Sequence, residues 1–193
     1  DVTAQFTVKT ENGNLVINPR AVTLKSANLN KEYDGTALVN GETALAKEEG
    51  WAEGEGATYE FTGSQTVVGT SANAFSYNLK DGTKAGNYTI SKTEGTLTVK
   101  DRATKYEITV KAKSDTTTYT GKEHKVEGFK ETEFTVDGNK YTVEGLKASG
   151  AAGTDAGKYT SKVTGTAVVK DAAGNDVTAQ FTVKTENGNL VIN

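Results

Sequence analysis

Eighteen residues of this chain occur twice without a single difference, at residues 1–18 and again 175 positions later at residues 176–193. Identity over that length predicts one full period of a tandem array, opening with the tail of a preceding copy. The segment reads as two short strands, at residues 5–8 and 14–17. Phe6/Val8 and Leu15/Ile17 alternate with polar neighbours, and Glu11-Asn12-Gly13-Asn14 supplies a turn between them. Any account of the fold must therefore place one sequence in two settings.

A weaker repeat lies inside the period. Val22-Thr23-Leu24-Lys25 with Tyr33-Asp34-Gly35-Thr36 is answered 86 positions on by Ile108-Thr109-Val110-Lys111 with Tyr119-Thr120-Gly121-Lys122. Asn87-Tyr88-Thr89-Ile90 with Gly95-Thr96-Leu97 is answered 93 positions on by Gln180-Phe181-Thr182-Val183 with Gly188-Asn189-Leu190. The drift in offset predicts two related modules with small loop insertions, at residues 19–100 and 101–193, after a remnant at residues 1–18. Period-two alternation separated by glycine turns predicts short strands throughout both. Asp137-Gly138, between Phe134-Thr135-Val136 and Tyr141-Thr142-Val143, predicts a tight hairpin. Only residues 43–50, with good helix formers before Gly50, suggest a short helix instead.

The expected fold is all-β: two tandem immunoglobulin-like β-sandwich modules of antiparallel strands, with β-grasp-like modules carrying one short helix as the alternative. Expected core residues are Val22, Leu24, Tyr59, Phe61, Phe75, Tyr88, Ile90, Leu97 and Val99 in the first module. In the second they are Ile108, Val110, Phe134, Val143, Tyr159, Phe181, Val183, Leu190 and Ile192. Lys100-Asp101-Arg102-Ala103-Thr104 is short and free of Gly and Pro, so the modules should sit end to end. The apolar residues of segment 1–18 need cover, from the near end of the first module or, by preference, from a neighbouring molecule.

Charge and composition narrow the function. A net charge of −3 with both signs interspersed gives no basic stripe for nucleic acid. No apolar run approaches the ~20 residues of a membrane span. With no Cys there is neither a disulfide nor a thiolate metal site, and no cofactor is expected. The sole histidine, His124, follows a turn with no nucleophile or carboxylate placed to use it, and reads as an exposed loop residue. Asp171, Asn175 and Asp176 gather oxygen ligands without the alternate spacing of calcium loops, and read as turn formers. An internal amide cross-link between Lys111 and Asn193 is opposed by alternation, which turns both away from the core. Trp51 is the one possible ligand contact, able to stack on a sugar ring, although such a residue more often plugs the end of a small β-core.

The motifs resemble a family. Tyr33-Asp34-Gly35-Thr36, Gly54-Glu55-Gly56-Ala57-Thr58-Tyr59 and Gly63-Ser64-Gln65-Thr66-Val67-Val68-Gly69-Thr70-Ser71 are similar to the YDG/MBG-type repeats of Gram-positive bacterial cell-surface proteins. Residues 87–99 resemble the closing strands of those repeats. The second module resembles a divergent relative that lacks the Gly-Glu-Gly-Ala element. The resemblance implies an extracellular, cell-wall-anchored adhesin whose repeats form a stalk, and it carries no catalytic or ligand residues with it. The expected function is a non-enzymatic structural spacer contacting neighbouring repeats. The rival is an adhesive module that binds host glycan, mucin or protein.

Overall fold

The computed structural model of the chain describes residues 1–41 and 44–193, and it is nearly all β. The first ten strands are β1 (Arg20–Lys25), β2 (Leu29–Glu32), β3 (Leu38–Val39), β4 (Lys47–Glu49), β5 (Ala57–Phe61), β6 (Ser64–Gln65), β7 (Gly69–Asn73), β8 (Phe75–Leu79), β9 (Tyr88–Thr93) and β10 (Gly95–Lys100). After Asp101 come β11 (Tyr106–Lys111), β12 (Asp115–Thr117), β13 (His124–Val126), β14 (Glu133–Val136), β15 (Asn139–Ala148), β16 (Ala151–Gly153), β17 (Gly157–Ser161), β18 (Val163–Asp171), β19 (Phe181–Glu186) and β20 (Gly188–Ile192). Among the described residues the only helical pieces are 3-10 turns at Thr3–Gln5, Ala85–Asn87 and Thr178–Gln180.

Each half of the chain is closed by pairing its first two strands with its last two, and these ladders are parallel. β1 runs beside β9, from Arg20 opposite Tyr88 to Lys25 opposite Thr93, and β2 runs beside β10. The second half repeats the device, with β11 beside β19 and β12 beside β20. The expected sandwich strands were all antiparallel. Here the remaining ladders are antiparallel, some on the clasp strands themselves, as in β1 with β4, β10 with β7 and β20 with β17, and others away from them, as in β5 with β8 and β15 with β18. Parallel pairing needs a long connection between partners, and the whole of each half lies between its opening and closing strands.

The clasp changes neighbours midway, and a glycine permits it. Ser26 donates to the Asn73 carbonyl at 2.6 Å and accepts from the Gly95 amide at 2.8 Å, and it is fully buried. A Cβ on Gly95 would stand 2.2 Å from the Ala27 carbonyl oxygen, and one on Gly188 would stand 2.0 Å from that of Lys113. Two chains cross there closer than any side chain allows. Both glycines had read as simple punctuation.

Three apolar cores follow one another along the molecule. The first holds Val22, Leu24, Phe75 and Tyr88, with Tyr59, Phe61 and Ile90 packed against it. The second joins Tyr33 and Val99 of the first half to Ile108, Val110, Tyr141, Val143, Val169, Val177 and Phe181 of the second. The third holds Val126, Ala151, Leu190 and Ile192, with Tyr159 beside it. Tyr59, Phe61, Ile90, Phe134, Tyr159 and Val183 are half-buried rather than enclosed. Tyr33 and Tyr141, read in sequence as turn and hairpin residues, are the largest fully buried side chains.

The hairpin is present: Val136 pairs with Asn139, and Asp137 and Gly138 both take positive φ, as a primed turn requires. The proposed short helix is not. Residues 47–49 form β4, antiparallel to β1, while Thr43 lies outside the described residues. An exposed helix of two turns gains little alone, whereas the open edge of β1 offers a ladder.

The repeated segment adopts two states. In both copies the carboxylate of the first residue accepts from the amide and hydroxyl of the third, at Asp1 and Thr3 and again at Asp176 and Thr178, and a 3-10 turn follows. Beyond that turn the second copy becomes β19 and β20. The first forms no strand, so the strands expected at 5–8 and 14–17 are corrected. Its own chain gives it little cover: Phe6, Leu15 and Ile17 are 69%, 88% and 84% exposed, against 5%, 0% and 2% for Phe181, Leu190 and Ile192. The turn is local and forms anywhere, but the strands need a partner.

Replacing Gly95 with Ala should cost about 2 kcal/mol by forcing the crossing chains apart. Gly86→Ala, at an open site with nothing near its Cβ, should change stability by less than about 0.5 kcal/mol. Urea denaturation of the two variants checks the contrast.

Candidate functional site

Trp51 is held between β4 and the turn before β5. Its ring meets Tyr88 edge-on at 4.9 Å between centroids, and its Nε1 donates to Glu48 Oε1 at 3.0 Å. The Tyr59 hydroxyl donates to the same carboxylate at 2.6 Å, and Tyr88 donates to Glu55. The indole therefore caps the first core, with its edge and polar atom already engaged.

The other sequence candidates are engaged in ordinary structure. His124 is half-buried at the start of β13, not in an exposed loop; it pairs across to Gly153, and its Nε2 lies 2.9 Å from Thr120 Oγ1. Asp171 Oδ1 accepts the amides of Ala173 and Asn175, and its Oδ2 accepts the Asn175 side chain. The hydrogen bonds from the Thr178 hydroxyl and amide hold the Asp176 carboxyl below its ordinary value. Both carboxylates thus serve the turns they stand in. Lys111 pairs with Glu186 at 2.8 Å on the surface. Asn193 exchanges backbone hydrogen bonds with Thr117 and Tyr119, on the next ladder along, so Lys111 and Asn193 are not brought together.

The structure concentrates its polar chemistry at the joint between the halves. Arg102 spans it: Nη1 donates to the Tyr33 carbonyl at 2.9 Å and to the Tyr106 hydroxyl at 3.0 Å, and Nε donates to the Thr104 carbonyl. Its guanidinium carbon lies 3.8 Å from the centroid of the Tyr106 ring. Fork geometry and stacking together favour arginine over lysine. Gln180 closes the other side, accepting from the Arg102 amide at 2.9 Å and donating to Asp101 at 2.6 Å. Tyr33 donates to the Tyr141 hydroxyl at 3.3 Å, and the Asn139 amide group donates to the Asp34 carbonyl. A shallow cavity of about 410 Å³ beside the joint is lined by Tyr33, Val67, Val68, Asp101, Val177 and Gln180, among others.

Sequence reasoning missed Arg102, Tyr141 and Gln180 as a group. One signal was there: arginine occurs only at 20 and 102 in a lysine-rich chain, as the first residue of β1 and four residues ahead of β11.

Comparison with protein-family models, with curated proteins and with solved structures returned no match.

The joint tyrosines hold their protons tightly. Burial first, then the hydrogen bond with Tyr141, raises the Tyr33 phenol well above its ordinary value. Burial and the hydrogen bond to Asp137 push the Tyr106 phenol up to about 12, against the pull of Arg102. In the unfolded chain these phenols titrate near about 10. The folded state therefore binds more protons above that pH, and its stability falls as pH rises, by at most about 1.4 kcal/mol per pH unit for buried Tyr33. Melting temperature should hold up to about pH 10 and then fall through about 12, and Tyr33→Phe should flatten the fall. Thermal scans across that range, followed by tyrosinate absorbance, check both.

Proposed function

We propose that this chain is a non-enzymatic structural spacer, a repeat of the stalk of a bacterial cell-surface adhesin. In this reading residues 19–100 and 101–193 are two tandem β-sandwich modules of immunoglobulin-like layout. They stand outside the cell on a wall-anchored protein and hold a distal binding region away from it. The observation that carries the reading is the joint. The second core runs through the boundary between the halves without interruption, with Tyr33 buried within it, and Arg102 and Gln180 fasten the linking residues on opposite sides. A spacer needs resistance to bending where its units meet, and a shared core with a polar clamp supplies it.

The exact 175-residue repeat supports the same reading, since an array of near-identical units is valued for its length and each unit touches only its neighbours. The adhesive alternative rests on Trp51, whose packing on Tyr88 and bond to Glu48 support a structural role instead. Each half pairs opening strands of roughly 40 Å at about 3.3 Å per residue, so the particle should approach 80 Å in length. Small-angle scattering should give an extended rod, and mucin or glycan arrays should give no signal at high protein concentration. A near-spherical particle contradicts the spacer reading; saturable glycan binding lost in Trp51→Ala establishes the adhesive one.

A further inference from the structure

Each clasp keeps a single register along its length. In the first half Arg20 faces Tyr88 and Leu29 faces Leu97, each 68 positions on, and the ladder ends at Glu32 opposite Lys100. In the second half Tyr106 faces Phe181 and Asp115 faces Leu190, each 75 positions on, and the ladder ends at Thr117 opposite Ile192. The entering and leaving strands of each half therefore run side by side in one direction, through the close crossing at Gly95 or Gly188.

That layout decides how tension enters the fold. The chain joins the first clasp at Arg20, at one end of the ladder, and leaves it at Lys100, at the other. A pull from both sides draws the entering strand backward and the leaving strand forward along the same line. The evenly spaced hydrogen bonds of a parallel ladder cross between those strands, so they are sheared together. Strands pulled apart from one end open one bond at a time instead. The second clasp is loaded in the same way, between Tyr106 and Ile192. Sliding is opposed as well, because a slip of one residue turns every buried side chain of a strand to the other face. Val22, Leu24, Leu97 and Val99 hold the first register in place, and Ile108, Val110, Leu190 and Ile192 hold the second, all of them buried. The leaving strands are pinned on their far sides, β10 by β7 and β20 by β17. At the joint, the residues that pass tension from β10 to β11 are tied to both halves, Arg102 to the Tyr33 carbonyl and Gln180 to Asp101 and the Arg102 amide.

We propose that each half is a load-bearing element, whose parallel clasp locks the chain against tension applied along the entering and leaving strands. A spacer needs only to resist bending; this function is to stay folded under a pull. It stands on the two ladders alone, both within residues 20–193, and holds whether or not the molecule is a surface stalk.

The test is single-molecule force spectroscopy on the full chain, since forced unfolding reads the barrier to opening rather than net stability. The chain has no cysteine, so a pair of introduced cysteines alone decides where force is applied. Asn18→Cys with Ala103→Cys pulls the first clasp along its length. Asn18→Cys with Gly86→Cys pulls the same clasp from one end, because Gly86 closely precedes Tyr88, which faces Arg20. All three positions are exposed, and nothing stands near a Cβ on Gly86. At one pulling speed the first pair should need a several-fold higher unfolding force than the second. Ala103→Cys with Asn193→Cys should put the second half in the same high range. Equal forces in the two geometries of the first half overturn the proposal, as does a second half that yields at the lower force. A rod-shaped particle with equal forces removes this function and leaves the spacer reading; a compact particle whose force depends on geometry does the reverse.

Discussion

The fold depends on one clasp, used twice: the first strands of each half lie parallel to its last strands. A parallel pair cannot be made by a tight turn, so every intervening strand must be placed before the clasp closes. Val22 and Leu24 from the opening strands and Tyr88 from the closing ones meet in the first core; Ile108, Val110 and Phe181 meet in the second. Each such side chain contributes about 2 kcal/mol on burial. Neither the opening nor the closing strands bury those residues alone. Gly95 and Gly188 matter because they let the two chains of each clasp cross in near contact.

The joint follows from the same arrangement. A clasp ends each half with its entering and leaving chains side by side, and Tyr33 at the end of β2 hydrogen-bonds through its amide to Lys100 at the end of β10. Both chains therefore reach the boundary together, and Tyr33 goes into the second half's core while Arg102 bridges back to its carbonyl. What would otherwise be a flexible tether becomes a continuous apolar column edged by hydrogen bonds.

Much of this was legible in the sequence. Period-two alternation places strands at 58–61, 74–79, 88–90 and 97–99, which match β5 and β8 to within a residue and fall inside β9 and β10, and Asp137-Gly138 announces its hairpin, because both signals are local. The parallel clasp was not legible, since alternation reports which face of a strand is buried and says nothing of the strand beside it. Tyr33 reads as a turn residue and Tyr141 as a hairpin strand residue, because burial at a boundary is set by the other half, invisible within either motif. Residues 47–49 looked helical by propensity and paired with β1 instead, tertiary contact overriding a weak preference. Of the candidate site residues, Trp51 packs edge-on against Tyr88 beside the first core. The polar cluster at the joint went unseen, its members being scattered from Tyr33 to Gln180.

The repeated segment makes the point most sharply, because sequence is held constant while surroundings change. The Asp–Thr turn forms in both copies, and the strands form only where β11, β12 and β17 await them. Amide hydrogen exchange, resolved by nuclear magnetic resonance, compares the copies inside one molecule under one set of conditions. The amides of Phe181–Glu186 and Gly188–Ile192 that bond across the ladders should be protected by several orders of magnitude, while their counterparts in residues 6–17 exchange at the rate of an open chain. Equal protection of the two copies, high or low, would contradict the claim that the slot, and not the segment, makes the strands.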